Sequence, residues 1–243
     1  MTTMYEQSRK CAVCGEMETY YEIGSTNSFG SPDLDLRPPQ MQRGTMGEWI
    51  QQCPACGYVS GRIDNDPGKV TKKWLKSKAY TCSDGLDFRS GLADQFYKFY
   101  KISLLNESTE RAFFALLHAA WACDDCEDTA NAVRCRSMAS PLLNQVTEEL
   151  ISAQGDPEED GCEDDSDKKD NLLLIKADLL RRSGQFETLL SEYASRHFEN
   201  EIMNKVLAFQ LAKAAEKDTA CYTVQYAVEG EPEEADEDLL PDV

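Results

Sequence analysis

The chain is poor in histidine, with only His118 and His197 among its 243 residues. A Ser-His-Asp triad needs a histidine base, and the H-E-x-x-H helix of a zinc protease needs two histidines four residues apart. The sequence therefore predicts neither kind of hydrolase. It also lacks a P-loop: in "GRIDNDPGKV" six residues separate Gly61 from Gly68, and Val70 stands where the motif requires Ser or Thr.

Long hydrophobic runs are absent as well. The longest candidate, "RAFFALLHAAWAC", is too short to cross a bilayer and is flanked by charge. The first residues, "MTTMYEQSRK", show no apolar core of a secretory signal. We therefore expect a soluble, cytoplasmic protein. In a reducing compartment its ten cysteines are not expected to form disulfides, and C-x-x-C pairs favour metal binding or redox chemistry.

Basic residues are scarce, and the formal net charge is −19. The imbalance is uneven: residues 1–80 hold ten Lys and Arg against nine Asp and Glu, whereas residues 81–243 hold fifteen against thirty-five. An acidic surface repels phosphate backbones, which disfavours nucleic-acid binding by the C-terminal two-thirds. The basic segment Lys69–Lys78, "KVTKKWLKSK", is the exception. It indicates either a nucleic-acid contact or an amphipathic helix that buries Val70 and Trp74 and exposes its lysines, and we favour the second interpretation.

Two C-x-x-C-G units carry the clearest chemical signal. Cys11 and Cys14 form the first, Cys53 and Cys56 the second, and each is followed by glycine. Zinc prefers four soft ligands in a tetrahedron, and two such knuckles on two β-hairpins make a zinc ribbon. The 38 residues between the pairs exceed the usual spacing of 15–20, but the Pro-rich segment "SPDLDLRPP" could loop out between them.

Alternatives to zinc are a redox dithiol, another metal, or buried thiols without metal. Thioredoxin-like chemistry uses one C-x-x-C at the start of a helix, and two units with trailing glycines do not fit that pattern. The sequence therefore predicts one zinc ion. Four thiolates leave no open coordination position, so this zinc would be structural, and metal binding would supply most of the folding energy of the module.

A second group, His118, Cys123, Cys126 and Cys135, lies within eighteen residues of sequence. No glycine follows Cys126, and small cysteines are common in packed Ala-rich helices. We favour helix packing over a second metal site.

The chain divides by composition into a β module followed by helical segments with apolar residues at helical spacing. Asp66-Pro67 predicts the start of a short helix, Pro141 a break between two helices, and Gly184 the end of a helix in left-handed conformation. Helix, short turn, helix is typical of TPR-like arrays. We predict a mainly α protein with a small N-terminal zinc ribbon and an array of antiparallel helical hairpins. The predicted units are a ribbon (1–65), a first helical part (66–153), an acidic flexible insert (154–170), a second helical part (171–228) and an acidic disordered tail (229–243).

The motifs "KCAVCG", "STNSFGSPDLDLRPP", "EWIQQCPACGYVS", "LHAAWACDD" and "ADLLRRSGQF" resemble bacterial domain-of-unknown-function family 2225 over most of residues 9–217. The resemblance implies a bacterial cytoplasmic protein with a zinc ribbon, TPR-like helices and no assigned activity. The implied ligands are Cys11, Cys14, Cys53 and Cys56; Ala12 replaces a frequent proline. The chain also matches family positions of unstated role at Asp33, Asp35, Arg37, Trp49 and Tyr58.

The segment "DLDLRPP" fits two interpretations equally, a surface recognition loop or a turn pinned by an Asp33–Arg37 pair. For the whole chain we predict a protein-protein adaptor without catalytic activity. The alternative is a nucleic-acid-associated protein that uses the ribbon and residues 69–78, and the third possibility is an enzyme with a site between ribbon and helices.

Overall fold

A computed structural model describes residues 1–153 and 164–230, with the backbone alone described at 150–153 and 164–167. The described part of the chain is mostly helical. The strands are β1 (Thr3–Lys10), β2 (Met17–Ser25), β3 (Gln51–Gln52) and β4 (Val59–Ser60). The helices are α1 (Gln40–Arg43), α2 (Lys78–Thr81), α3 (Gly91–Leu105), α4 (Thr109–Asp125), α5 (Thr129–Ala153), α6 (Asp164–Arg182), α7 (Phe186–Tyr193), α8 (Glu201–Ala215) and α9 (Val224–Glu229).

Two small antiparallel sheets form the N-terminal module. Strand β1 pairs with β2, and β3 pairs with β4. The first cysteine pair lies between β1 and β2, and the second lies between β3 and β4. The prediction of a small β module with each knuckle between two strands is therefore confirmed.

Helices α3, α4 and α5 pack in sequence order and build the larger core. Ser90 begins α3 as an N-cap, because its Oγ accepts the Ala93 backbone N–H at 3.3 Å. Phe96, Phe113 and Leu116 fill the helix interfaces, and Ile63 from the β module belongs to the same buried cluster. The β module and the first helices thus share one apolar core. A mainly α fold is confirmed, whereas a TPR-like arrangement stays a prediction.

Helices α6 to α9 surround a second core, and a segment from the N-terminal third joins them. Leu34 is buried with Leu174, Leu189 and Val206 in this cluster. Its backbone N–H donates to the Tyr222 carbonyl at 3.0 Å. Residues 31–37, which the sequence assigned to the ribbon, therefore pack against the C-terminal helices.

The predicted helix end at Gly184 is confirmed. Gly184 has φ +75°, and its N–H donates to the Arg181 carbonyl at 3.0 Å. The following N–H, from Gln185, donates to the Leu180 carbonyl at 2.8 Å. This pair of bonds is a Schellman motif, which only a residue tolerant of positive φ completes without strain.

The predicted break at Pro141 is wrong, because α5 runs through it without interruption. A proline removes one helical hydrogen bond, here to the carbonyl of Ser137. Both Ser137 and Pro141 are exposed, so water can satisfy that carbonyl. The helix therefore tolerates the proline on its solvent face.

The predicted helix after Asp66-Pro67 is also wrong. Only a 3-10 turn at Trp74–Lys76 and the short α2 follow it. Asp66 Oδ1 accepts the Gly68 N–H at 2.9 Å, and Gly68 adopts φ +57°. That turn points the Lys69 N–H to Asn106 Oδ1 at 2.8 Å, outside a helical ladder.

The predicted acidic flexible insert, 154–170, is described only in part. Residues 164–170 belong to α6, and residues 154–163 lie outside the described part of the chain. Of the predicted tail, 229–243, Glu229 is the last residue of α9 and Gly230 is its C-cap. Residues 231–243 are also outside the described part of the chain.

Candidate metal centre and ion-pair cluster

The four predicted ligands meet at one point. The Sγ atoms of Cys11, Cys14, Cys53 and Cys56 all lie within 4.8 Å of one another. The Cys11–Cys56 distance is 3.7 Å, and the Cys14–Cys53 distance is 3.5 Å. A tetrahedral site with Zn–S bonds of about 2.3 Å has S···S edges of about 3.8 Å. The four thiols are therefore placed to hold one metal ion.

Both knuckles fold by the same backbone device. In the first, the Gly15 N–H donates to the Cys11 carbonyl at 2.9 Å; in the second, the Gly57 N–H donates to the Cys53 carbonyl at the same distance. The two glycines have φ +83° and +76°. Only glycine adopts this conformation without a steric penalty, so the residue after each C-x-x-C sets the direction of the chain into the next strand.

The electrostatics of the four thiols fit a cation as their common partner. Burial raises the pKa of both Cys53 and Cys56, whereas at Cys14 burial is outweighed by hydrogen bonds from the Glu16 backbone and the other thiols, which lower the pKa. A cation is needed to displace the protons and stabilise several thiolates at these distances. The donor set thus fits a soft divalent ion such as zinc.

Aromatic side chains attach the second knuckle to its surroundings. The Tyr80 hydroxyl donates to the Gly57 carbonyl, and the Tyr20 hydroxyl donates to the Gln52 carbonyl at 3.2 Å. Burial, reinforced by the nearby Cys53, raises the pKa of Tyr20 to about 12. Both hydroxyls therefore remain protonated donors at neutral pH. Tyr80 ties the second knuckle to the start of the helical region.

The second cysteine group does not assemble into a metal site within the described residues. Cys123 and Cys135 are fully buried in the core between α4 and α5, and the Cys126 thiol donates to the Cys123 carbonyl at 3.3 Å. His118 lies instead among aromatic rings, 5.3 Å from Trp49 and 4.8 Å from Trp121. Helix packing accounts for all four residues.

The segment "DLDLRPP" has a role that neither interpretation of the sequence anticipated. Its turn is closed by the backbone, since the Asp33 N–H donates to the Arg37 carbonyl at 2.9 Å. The two side chains do not pair: Asp33 bonds Arg43 at 2.7 Å and Arg37 bonds Asp125 at 2.6 Å. Asp33 and Arg37 are buried, so they do not form a surface loop.

Asp35 is the centre of a buried ion-pair cluster. Its side chain has no solvent exposure, and its Oδ2 accepts the Trp121 Nε1–H at 2.7 Å. The same oxygen lies 3.4 Å from Arg182 Nη1 and 3.8 Å from Arg136 Nη2. Both arginines also bind Asp124, and the distance from Arg182 Nη2 to Asp124 Oδ2 is 2.9 Å. The ion-pair cluster, defined by these charged residues, comprises Asp35, Asp124, Arg136 and Arg182.

The ion-pair cluster joins three parts of the chain: the loop after β2, the end of α4 with α5, and the end of α6. Sequence reasoning missed Asp124, Arg136 and Arg182. One signal was present, because Arg136 falls on the apolar stripe of α5 beside Cys135, and a charge on a buried face requires a partner.

A cleft of about 430 Å³ lies beside the ion-pair cluster. Its wall includes Asp124, Arg136, Arg182, Gly184 and Cys221. The two guanidinium groups already bind Asp124, and Arg182 also binds Asp35, so the cleft offers no uncompensated positive charge. Although Cys221 is exposed at the cleft, desolvation by the surrounding protein and the nearby carboxylates of Asp33 and Asp35 raise the pKa of its thiol to about 12, which disfavours the thiolate that nucleophilic chemistry requires.

The basic segment lies next to the first knuckle. Val70 and Leu75 are buried against the larger core, and Trp74 packs against Tyr80 in a tilted arrangement with ring centroids 5.0 Å apart. Lys72 Nζ lies 3.5 Å from the Cys14 carbonyl. The predicted amphipathic helix is not formed: Val70 is buried, Trp74 is half-buried, and the lysines of the segment face solvent.

Within residues 1–153 and 164–230, no helix is both long enough and apolar enough to span a membrane. No protein-family model matches the chain, and no significant match was found among curated proteins or solved structures.

Proposed function

We propose that the chain is a zinc-stabilised protein-interaction module, an adaptor without catalytic activity of its own. The observation that carries the proposal is the convergence of Cys11, Cys14, Cys53 and Cys56, at spacings that match the edges of a zinc-thiolate tetrahedron. Four protein ligands saturate the ion, so zinc would stabilise the fold and leave no position for a substrate.

Zinc would act here as a crosslink between distant segments. It would fix both ends of the 38 residues between Cys14 and Cys53, which include Asp35 of the ion-pair cluster. Closing a loop of this length lowers the entropy of the unfolded chain. Metal binding to ribbon-type sites is worth on the order of 10–16 kcal/mol at neutral pH. The metal would thereby stabilise the helical units as well as the β module.

The ion pairs beside the cleft are consistent with a structural role for its charged residues. The cluster residues next to the cleft are ion-paired and serve to hold the three chain segments together. The resemblance to domain-of-unknown-function family 2225 is consistent with this function, and membership of that family is itself a proposal.

The zinc assignment is tested by metal content. The chain, purified under reducing conditions with zinc present, is expected to carry one zinc ion in native mass spectrometry. Cys53→Ser is expected to lose it, because three thiolates cannot complete the site, whereas Cys82→Ser is the matched control: Cys82 is an exposed thiol outside the site. A metal-free wild-type chain, or a Cys53→Ser variant that retains one tightly bound ion, would refute the assignment.

A second candidate function, nucleic-acid binding through the ribbon and Lys69–Lys78, is favoured by one observation. Lys72, Lys73, Lys76 and Lys78 are exposed, and none makes an ion pair with another described residue. Capture of partners with the tagged chain, with and without nuclease, separates the two functions. Partners that resist nuclease and are lost with a surface variant of the chain would support the adaptor; partners that vanish with nuclease would support the alternative.

A further inference from the structure

The hairpin of β1 and β2 is largely uncovered. Most of its side chains are exposed, including Met17 at 56% and Tyr21 at 57%. Its sheet contains only these two strands. A two-stranded hairpin is marginally stable in water, and three or more strands are needed for independent stability. The hairpin therefore has sheet edges at which a further strand would add stability.

The hydrogen-bond pattern of the hairpin determines which backbone groups of β2 point outward. The Cys11 N–H donates to the Glu16 carbonyl at 2.8 Å, one step beyond the Lys10–Met17 pair. Along an antiparallel ladder, hydrogen-bonded pairs alternate with pairs that are not hydrogen-bonded. The residues of β2 that turn their N–H and carbonyl groups away from β1 are therefore Met17, Thr19, Tyr21 and Ile23.

The edge of β2 is more open than the edge of β1. Directly after β1, the Ala12 N–H donates to the Ile63 carbonyl at 3.0 Å, so a neighbouring segment already lies at that edge. On β2, the Thr19 N–H donates to Oε1 of the adjacent Glu18 at 3.0 Å. Among the described residues, this is the only hydrogen bond to an outward backbone group of the four β2 residues. None of these four residues is charged, so the edge lacks the charged side chains that usually prevent strands from pairing.

We propose that β2 pairs antiparallel with β2 of a second copy, around a two-fold axis at Tyr21, to form one four-stranded sheet. The axis places Tyr21 opposite itself and Thr19 opposite Ile23 of the second copy, and all of these residues have outward backbone groups. Aromatic and β-branched side chains form favourable cross-strand pairs. The inference goes beyond the proposed function, because a dimer would carry two copies of every interaction surface.

Charge selects this register over the neighbouring ones. The inner face of β2 carries Glu18 and Glu22. An axis at Tyr20 would place Glu18 opposite Glu22, and an axis at Glu22 would place that residue opposite itself. Like charges directly opposite each other destabilise a sheet. With the axis at Tyr21, Glu18 lies opposite Gly24. Glu22 then lies opposite Tyr20, so no like charges are opposed.

The test is sedimentation velocity of the full-length, zinc-supplemented chain over a concentration series under reducing conditions. The wild-type chain should convert from monomer to dimer as its concentration rises. Thr19→Pro removes an outward N–H, which the pairing with β1 does not use, and proline is tolerated at such an edge position. We expect the dissociation constant of its dimer to rise about tenfold or more, because the two-fold axis doubles the loss.

Ser8→Pro is the matched control. Ser8 lies directly opposite Thr19 in the hairpin, and the two hydroxyl oxygens are 3.0 Å apart. Its outward N–H lies on the other edge, that of β1, so this variant should dimerise like the wild type. Equal weakening by the two substitutions would overturn the proposal. So would a wild-type chain that is monomeric at every concentration, a result that would leave the β2 edge to a strand of another protein.

Cysteine crosslinking tests the register without altering the backbone. Thr19→Cys and Ile23→Cys chains are mildly oxidised, alone and mixed, and the linked peptides are identified by mass spectrometry. Across the proposed axis, positions 19 and 23 lie opposite each other at a Cα separation of about 5.5 Å, which a disulfide can span. We expect a link between these positions in the mixture and no link between like positions in either chain alone. A dimer that forms no such link would overturn the proposal.

Discussion

Neutralising Asp35 tests the idea that the ion-pair cluster holds the two cores together. Asp35→Asn keeps the size of the side chain and one oxygen that can accept the Trp121 Nε1–H. It removes the negative charge that faces Arg136 and Arg182. The two guanidinium groups then share one carboxylate, that of Asp124, in a region where their side chains are 2% and 8% exposed.

The expected magnitude follows from this burial. Removing one partner of a buried ion pair costs about 3–5 kcal/mol, because the remaining charge is left without compensation. A domain of ordinary stability has about 5–15 kcal/mol in total, so this loss would be a large fraction of the free energy of unfolding. Asp94→Asn is the matched control. Its carboxylate is 39% exposed and pairs with Lys98 one helical turn away, an interaction worth about 0.5 kcal/mol or less.

The assay is urea unfolding of the zinc-loaded chain, followed by tryptophan fluorescence and far-ultraviolet circular dichroism. Trp121 reports on the ion-pair cluster directly, and dichroism reports on all helices. A loss below about 1 kcal/mol for Asp35→Asn, similar to the control, would show that the cluster is hydrated and would refute the argument. A second variant, Asp35→Asn with Arg182→Met, should recover part of the loss, since it removes one of the two uncompensated charges.

Three further predictions concern single residues. Burial lowers the pKa of His118 from 6.5 to about 4, so the unfolded chain binds an extra proton between these pH values. The free energy of unfolding should therefore fall by about 3 kcal/mol as the pH drops from 6.5 to 4. Denaturant titrations at several pH values should show that His118→Gln lacks this component. Leu36 is exposed and has φ +62°, so Leu36→Gly should raise the free energy of unfolding by about 1 kcal/mol. A lower free energy of unfolding would show that the packing of the leucine contributes more than its backbone strain costs. Gly57 has φ +76° with open space around it, so an alanine there would be strained by its backbone conformation alone. The strain of about 1–2 kcal/mol should lower the zinc affinity of Gly57→Ala about tenfold. An unchanged affinity in competition with a chelator would show that the backbone conformation of Gly57 does not matter for zinc binding.

The clustering of the four cysteines was predictable because it depends on local rules. Each C-x-x-C-G unit encodes its own turn, and a glycine with positive φ after the second cysteine gives both turns the same shape. The convergence of the two turns followed from the preference of zinc for four thiolates. No knowledge of the 38 intervening residues was needed.

The ion-pair cluster was not predictable in this way, because its members are scattered along the chain. Asp35 and Arg182 are separated by 147 positions, and no local pattern links them. Asp33 and Arg37 are close in sequence and opposite in charge, which favoured a local pair, but tertiary packing placed Arg43 and Asp125 nearer to them. The errors at Pro141 and Asp66 have the same origin, since solvent exposure in one case and Asn106 in the other outweighed the local preference.

The segment between the knuckles explains why the spacing of the cysteine pairs exceeds that of a compact ribbon. Its first part leaves the β module, closes a turn at Asp33, and buries Leu34 in the second core. Its later part returns through α1 to the second knuckle. A shorter connection could complete the metal centre but could not reach α6 and α8. The long spacing therefore connects the cysteine cluster to the packing of the C-terminal helices, and deleting residues 28–40 should leave the proposed zinc bound while loosening those helices, a separation that hydrogen exchange of α6 and α8 would measure.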